Sequence, residues 1–360
     1  MNTINGKKPS DEDKMPKGTI SGEPLASGPL GIDIGTANIV VAQKTGKREI
    51  TRVQLNAFYT LAYSRMAEIA LLNEGGMFVK ANGKIHALGY QAENFADIVG
   101  DVVKRPVAGG ILNAKEEDTT FIIQALLNKL VADAPVKNTK ICFSIPGEPI
   151  DDAVSIYYHE AIIKKHLEQK GYQAESVNEG LAVVLSELES SSSNQPYTGI
   201  GISLGGGMCN VCFAYMAVPV VTYSIRKGGD YIDAMSAEAV GETPGKVRTV
   251  KETLLNLSKT PRGKIETGLH IYYEQLFELL AKSLQTQLGS TDRIPLLRKG
   301  VPIVLSGGAS MPPGAKEKFK LALDAVRLPV AISDIILAKQ PLLATARGAL
   351  QNISSVESGK

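Results

Sequence analysis

Cysteine is scarce, with three residues in 360: Cys142, Cys209 and Cys212. So low and odd a count, with no secretory signal, excludes a disulfide framework and fits a reducing, cytoplasmic setting. An excess of one charge sign is also lacking. Lys and Arg number 39 against 37 Asp and Glu, a net charge of +2. That balance leaves no electrostatic footprint for nucleic acid or an anionic membrane, and little repulsion to oppose self-association. Aromatic residues make up 6% and do not interleave with basic clusters, so base stacking is not indicated. No apolar run is long enough to span a bilayer. Residues 1–29 are polar, with neither an apolar signal core nor an amphipathic pattern. They are expected to form a disordered tail without a clear membrane anchor.

Several catalytic signatures are missing as well. There is no G-x-x-x-x-G-K-[ST] loop and no G-x-S-x-G elbow, which argues against a P-loop NTPase and a serine hydrolase. Cys209-Asn210-Val211-Cys212 has C-x-x-C spacing. It lies in an expected strand, where positions i and i+3 face opposite ways, and no second pair completes a zinc site. His86, His159, His166 and His270 show no metal-ligand spacing. His159 and His166 fall on one expected helix and read as surface or boundary residues.

What is present is α/β patterning that starts twice. Gly31–Ala42 reads as strand, tight turn, strand, and Glu49–Leu55 as a third strand. Residues 60–72 look helical, and Met77–Leu88 reads as a hairpin about Asn82-Gly83. Helices are expected over Asn113–Asp133, Asp152–Lys170 and Gly180–Leu188, with strands at Lys140–Ile145 and Ala174–Val177. Ser190–Pro196 is the clearest linker. The strand-turn-strand pattern then recurs at Gly199–Leu204, Gly205-Gly206-Gly207 and Met208–Tyr215, followed by a strand at Val218–Arg226. Helices at 231–240, 246–258 and 267–287 and a strand at Val301–Leu305 complete the second half. This is a pseudo-repeat of domain size with mixed sheets.

Three glycine turns stand at strand ends: Asp33-Ile34-Gly35-Thr36, Gly205-Gly206-Gly207 and Gly307-Gly308-Ala309. Backbone N–H groups in such turns reach phosphate oxygens with no Cβ in the way. One turn alone is more often a plain hairpin; three in a duplicated layout favour phosphate binding. Asp33 ends its strand among apolar neighbours and is a candidate for holding the water shell of Mg²⁺. Thr36 and Asn38 are candidate phosphate donors.

Gly31–Asn38 resembles the first phosphate motif of bacterial actins of the MreB and MamK type. Gly205–Gly207 stands where that family's second phosphate motif lies, and Val304–Ser310 resembles its adenosine motif. Arg105–Ile111, Arg226–Asp233 and Gln340–Ala349 also resemble MreB, so the likeness spans roughly residues 30–350. It implies an actin-like fold, with two duplicated mixed-sheet domains flanking a nucleotide cleft. Its expected divisions are 30–189, with a small subdomain about 56–104, and 190–351, with another about 231–266. Residues 352–360 would be a C-terminal tail. It implies ATP/ADP and Mg²⁺ as cofactors and self-assembly into filaments; a protein cargo or adaptor is a further candidate partner. Nucleotide-binding positions carried over are Gly35, Thr36, Ala37, Asn38, Gly205, Gly206, Gly207, Lys251, Glu252, Gly307, Gly308 and Ala309. Glu179 matches the glutamate that orients the attacking water; its alternative role is to cap the helix starting at Gly180. Lys251 and Glu252 read equally well as a solvated helix face.

The second phosphate motif departs from the family pattern. Ser203 stands in place of the first acid, Met208 in place of a threonine and Asn210 in place of the trailing acid. The resemblance with these changes implies nucleotide binding with slow or impaired hydrolysis. The alternative is a pseudo-ATPase or chaperone-like regulator that does not polymerise. The long substrate domain of the DnaK class and an obvious acceptor site for a small-molecule kinase are not seen.

Overall fold

Three apolar residues with a glycine and an aspartate among them, Leu30–Ile34, make the first strand, β1, and almost all of it is buried. A strand covered on both faces reads as a continuous apolar run, and β1 lies at the centre of a five-stranded sheet. Our computed structural model describes residue 25 and residues 28–354, except 47, 74, 153, 154, 189–196, 296 and 298. In the first sheet β2 (Asn38–Thr45) and β3 (Arg48–Leu55) run antiparallel on one side of β1. Parallel strands β9 (Thr139–Ile145) and β10 (Tyr172–Asn178) flank the other side, giving the order β10-β9-β1-β2-β3.

The second sheet repeats this plan strand for strand. Its order is β13 (Val218–Ile225), β12 (Cys209–Tyr215), β11 (Gly199–Leu204), β14 (Val301–Ser306) and β15 (Ile332–Leu337). Register makes the equivalence specific. Ile32 pairs with Val41 and Phe143, and Ile202 pairs with Val211 and Leu305. Gly31–Gly35 and Gly201–Gly205 therefore hold matching places in two copies of one sheet, and the α/β reading with two mixed sheets holds.

A three-stranded sheet, β4 (Phe58–Ala62), β6 (Lys84–Leu88) and β5 (Phe78–Ala81), is inserted after β3, with helices α1 (Arg65–Asn73) and α2 (Tyr90–Val99). The β5–β6 hairpin turns at Asn82 and Gly83, both at positive φ (51° and 71°), as a two-residue turn between twisted strands requires. The helix expected at 60–72 starts later, because Thr60–Ala62 pairs with β6. A short hairpin, β7 (Val107–Ala108) and β8 (Ile111–Leu112), turns at Gly109-Gly110. Helices α3 (Thr119–Leu130), α4 (Tyr157–Gln169) and α5 (Glu179–Glu187) complete the first half. The second contributes α6 (Gly229–Val240), α7 (Pro244–Thr253), α8 (Gly263–Gly289), α9 (Ala315–Asp324) and α10 (Ala344–Ser354).

The two halves exchange their last helices. α5 follows β10 of the first sheet but packs on β11 and β12 of the second; α10 follows β15 of the second but packs on β1 and β9 of the first. The two helices also meet each other. A Cβ on Gly31 would enter the Ala346 carbonyl, one on Gly201 the Gly180 carbonyl, and one on Gly348 the backbone of Ala182. Ala182, Val184, Cys142, Cys212, Ala346 and Ala349 form a small-residue layer between the sheets. Cys209 belongs to the second domain's own core, and all three cysteines are buried and unpaired.

Three local expectations change. Leu25, placed in the tail on sequence grounds, is buried and bridges Val131, with Leu25 N donating to Leu130 O (3.1 Å). His159 and His166 are buried, not surface residues, because α4 turns that side toward α3 and β8. The linker 190–196 lies outside the described residues, as does the tail before Leu25. α10 continues through Ser354, so the structured chain runs past residue 351.

Candidate functional site

Each duplicated hairpin closes with the same bond. Gly35 N donates to Asn38 O, and Gly205 N to Met208 O, both at 2.9 Å. The two turns come from different domains and face each other. A Cβ on Gly206 would stand 3.5 Å from Ala37 Cβ and 3.8 Å from Ala37 N. Gly35, Thr36, Ala37, Asn38 and Gly205–Gly207 are thus brought to one place. Asn38 Oδ1 is a buried oxygen with no hydrogen-bond partner. Thr36 is buried, and its Oγ1 accepts the Gly110 N–H at 3.0 Å from the β7–β8 hairpin. That hairpin tip enters the cleft. Added side-chain atoms at Gly109 would meet the Arg226 guanidinium, and at Gly110 the Met208 thioether. Both glycines have positive φ (55° and 80°). Met208 is buried against the hairpin, a packing role the expected threonine would not fill.

Two carboxyl groups stand behind the turns. Asp33, at the end of β1, accepts a 2.7 Å hydrogen bond from Ser144 Oγ, which itself accepts the Ile34 N–H at 3.1 Å. Glu179 opens α5, whose cap is supplied by Asn178: its Oδ1 accepts from Gly180 N (2.9 Å) and Leu181 N (3.3 Å). Capping therefore falls to Asn178, and the Glu179 side chain points elsewhere. Its Oε2 accepts from Ser203 Oγ at 3.1 Å, and Asn210 also hydrogen-bonds it. Ser203 and Asn210 are cross-strand partners on β11 and β12. The two neutral residues found in place of acids thus converge on Glu179. Burial, then the nearby Asp33 charge, pushes the Glu179 carboxyl well above the ordinary carboxylate range, against the opposing pull of Ser203 and Asn210. Burial likewise raises Asp33, while the Ser144 hydrogen bond opposes the shift.

Asn210 also ties the domains together. Its Oδ1 accepts the Gly147 N–H at 2.9 Å from the loop after β9, and Ser224 Oγ donates to Gly147 O at 2.7 Å. Arg226 pairs with Asp152 across the same seam.

The third turn leaves β14. Gly307 has φ +84°, and a Cβ there would collide with the Leu204 backbone, so both conformation and space demand glycine. Gly307 N donates to Pro341 O (3.0 Å), and Ser310 Oγ to Gly307 O (2.7 Å). Gly308 is exposed and Ala309 buried. The turn sits beside the second phosphate turn because β11 and β14 are parallel neighbours ending together. Ligands of open α/β sheets bind at such strand ends.

Lys251 and Glu252 part company. Lys251 Nζ donates to the fully buried Asp233 (2.7 Å) and to Gly229 O (3.0 Å). Glu252 lies on the exposed side of α7, where its charge acts on Arg248. Arg248 bonds Asp233 (3.2 Å) and Asp230 (3.1 Å), and Arg105 from the first domain bonds both Asp230 oxygens (3.1 and 2.8 Å). Sequence reasoning quoted Arg105 and Asp230 inside family-like segments but assigned them no role. Nothing local marks a pair 125 positions apart. Ser144 was missed for the same reason. Among the described residues no group of three or more acidic, His or Cys side chains forms a ready metal cage. Asp33 suits Mg²⁺ none the less, since that ion takes one or two carboxylates and completes its shell with water and phosphate. Among the described residues no helix is long and apolar enough to cross a membrane.

The sequence profile of the Volactin family matches residues 29–352. The sequence matches no curated protein. Among solved structures, one described as the MamK double helical filament has 19% identity and a TM-score of 0.60, covering 91% of this chain and 98% of its own. The crystal structure of MreB5 of Spiroplasma citri bound to ADP has 16% identity and a TM-score of 0.62, covering 92% and 98%. At that identity the likeness concerns the fold, which is actin-like and of the MreB/MamK type.

Proposed function

The chain belongs to the Volactin family, and from that premise we propose that it binds a nucleoside triphosphate with Mg²⁺ between its two domains and assembles into cytoskeletal filaments. One observation carries the reading: two matching glycine turns from duplicated domains face each other, a Cβ added at Gly206 falling 3.5 Å from Ala37 Cβ, with Asp33 and Glu179 behind them. The filament described for MamK and the ADP bound by MreB5 support the two halves of the proposal.

In this reading the N–H groups of Gly35–Asn38 and Gly205–Gly207 hold the phosphate tail, with Thr36 and Asn38 adding side-chain contacts. The turn at Gly307, Gly308 and Ala309 lies beside the base and ribose, with Lys251 and Glu252 on the facing helix. Mg²⁺ supplies charge neutralisation on the phosphates, and Asp33 holds its water shell. Glu179 orients the attacking water. A general base must be ionised to accept a proton, and burial beside Asp33 raises the Glu179 carboxyl against ionisation, which slows turnover. Replacement of two acids by Ser203 and Asn210 also removes charge that would hold the metal. Those substitutions favour a second reading, a nucleotide-binding protein that does not turn over.

Pelleting and negative-stain microscopy with ATP, ADP or no nucleotide, each with Mg²⁺, test the proposal. Ordered filaments that depend on nucleotide support it; monomers under every condition would overturn it. Phosphate release separates the two readings. Under the first, Glu179→Gln keeps nucleotide affinity and lowers release by about 100-fold; under the second, wild type already shows none.

A further inference from the structure

The two phosphate turns contain backbone donors, a hydroxyl and an amide, but no lysine or arginine between Gly35 and Asn38 or between Gly205 and Met208. A triphosphate tail carries more negative charge than a diphosphate tail, so telling them apart by charge needs a nearby cation. Three cations cluster beside the second turn, bound to two carboxylates. Lys251 and Arg248 are each anchored on Asp233, which is fully buried. Arg105 is bonded to Asp230, at 3.1 and 2.8 Å. Asp230 in turn stands next to the turn. Its N–H donates to Gly206 O (2.8 Å), and its Oδ2 would lie 3.6 Å from a Cβ on Gly206. The Arg105 guanidinium is therefore one carboxylate away from the place where the turns meet.

We propose that Arg105 exchanges the Asp230 carboxylate for the terminal phosphate, and so distinguishes a nucleoside triphosphate from a diphosphate. This rests on the nucleotide-binding reading of the cleft. The exchange leaves neither carboxylate bare: Asp230 keeps Arg248 at 3.1 Å, and Asp233 keeps Arg248 and Lys251. Arg105 meets both Asp230 oxygens through one nitrogen, Nη1, whereas a planar guanidinium offers a phosphate a two-nitrogen fork. Arg105 also leads directly into the β7–β8 hairpin, whose Gly110 N–H holds Thr36 of the first turn. A shift of Arg105 toward the phosphate is thereby passed to the hairpin at the domain seam.

The test is equilibrium affinity for ADP and for a non-hydrolysable ATP analogue, both with Mg²⁺, in wild type, Arg105→Ala, Arg105→Lys and Asp230→Asn. Wild type is expected to prefer the triphosphate by roughly tenfold or more, the scale of a hydrogen bond between charged groups. Arg105→Ala should lose that preference while ADP affinity stays. Arg105→Lys, which keeps the charge but not the fork, should fall between. Asp230→Asn, which weakens the competing carboxylate, should widen the preference. Equal loss of both nucleotides in Arg105→Ala would mark a domain clasp only and overturn the proposal, as would an unchanged ratio or a wild type that binds both equally. If Arg105→Ala does not fold, as judged by its thermal melt, the Lys and Asn variants decide between the same outcomes. A wild type that binds neither nucleotide defeats the reading of the cleft itself, and this assignment with it.

Discussion

Asp33 and Ser203 hold the same place in two copies of one sheet, yet only one is an acid. In the first copy Ser144 lies on the neighbouring strand and supports the carboxylate; in the second Ser306 has that strand position and donates instead to Pro341 O (2.8 Å). The asymmetry leaves Asp33 without an acidic counterpart on β11, where Ser203 bonds Glu179 instead. Supplying one by Ser203→Asp places a charge against Glu179 with no cation beside it. Like charges sharing a site oppose ionisation and folding. The variant is expected to melt at a lower temperature than wild type without metal, and added Mg²⁺ should narrow the gap. Equal melting temperatures in EDTA would contradict this. His159 provides a second test at residue scale. It is buried with neither ring nitrogen partnered, and burial lowers its pKa from 6.5 to about 4. The unfolded chain takes up a proton below pH 6.5, while the folded chain resists until about 4. Its stability contribution is thus complete above 6.5 and is lost as the pH falls through that window. His159→Leu should flatten the decline of melting temperature between these two pH values.

At the scale of elements, α5 and α10 are where the duplicated halves become one object. Each covers the other half's sheet, and the contact is close enough that Gly348 cannot carry a side chain without moving the backbone of Ala182. Gly348→Ala is expected to destabilise the fold by about 1–3 kcal/mol or more, the usual cost of overpacking; a melting temperature equal to wild type would refute the packing argument. The β7–β8 hairpin is the other decisive element. Its residues lie in the family-like segment Arg105–Ile111, but neither the hairpin nor its destination was legible there. Hairpin chemistry specifies a local bend, whereas its insertion between Thr36 and Met208 depends on contacts far apart in the chain.

At the scale of the whole molecule, the two halves are tied together by the protein's own groups. Asn210 receives Gly147, Ser224 donates to the same peptide, Arg226 pairs with Asp152 and Arg105 with Asp230. Asn210 touches both the domain seam and Glu179, so it couples closure to the position of the candidate base. Asn210→Ala should speed hydrogen exchange in the loop containing Gly147 and broaden the interdomain distance distribution seen by X-ray scattering. Unchanged exchange there would mean that the remaining bonds hold the seam without it.

The sequence by itself determined the class of the fold. Its strand-turn-strand pattern occurs twice, and period and turn chemistry are local properties that a chain carries in its order. The three glycine turns, the Asn82-Gly83 hairpin and the candidacy of Asp33 were legible for the same reason; Glu179 and the substitutions at Ser203, Met208 and Asn210 stood out only against the family pattern that the chain resembles. The tertiary structure decided what those residues do to one another. It turned Ser203 and Asn210 from missing acids into partners of Glu179, moved the capping role to Asn178, buried His159 and His166, and set Arg105 against Asp230. Each of these depends on where separate strands end in space, and on a low-dielectric interior in which burial sets the charge a carboxyl can hold; neither is a property of neighbouring residues in the chain.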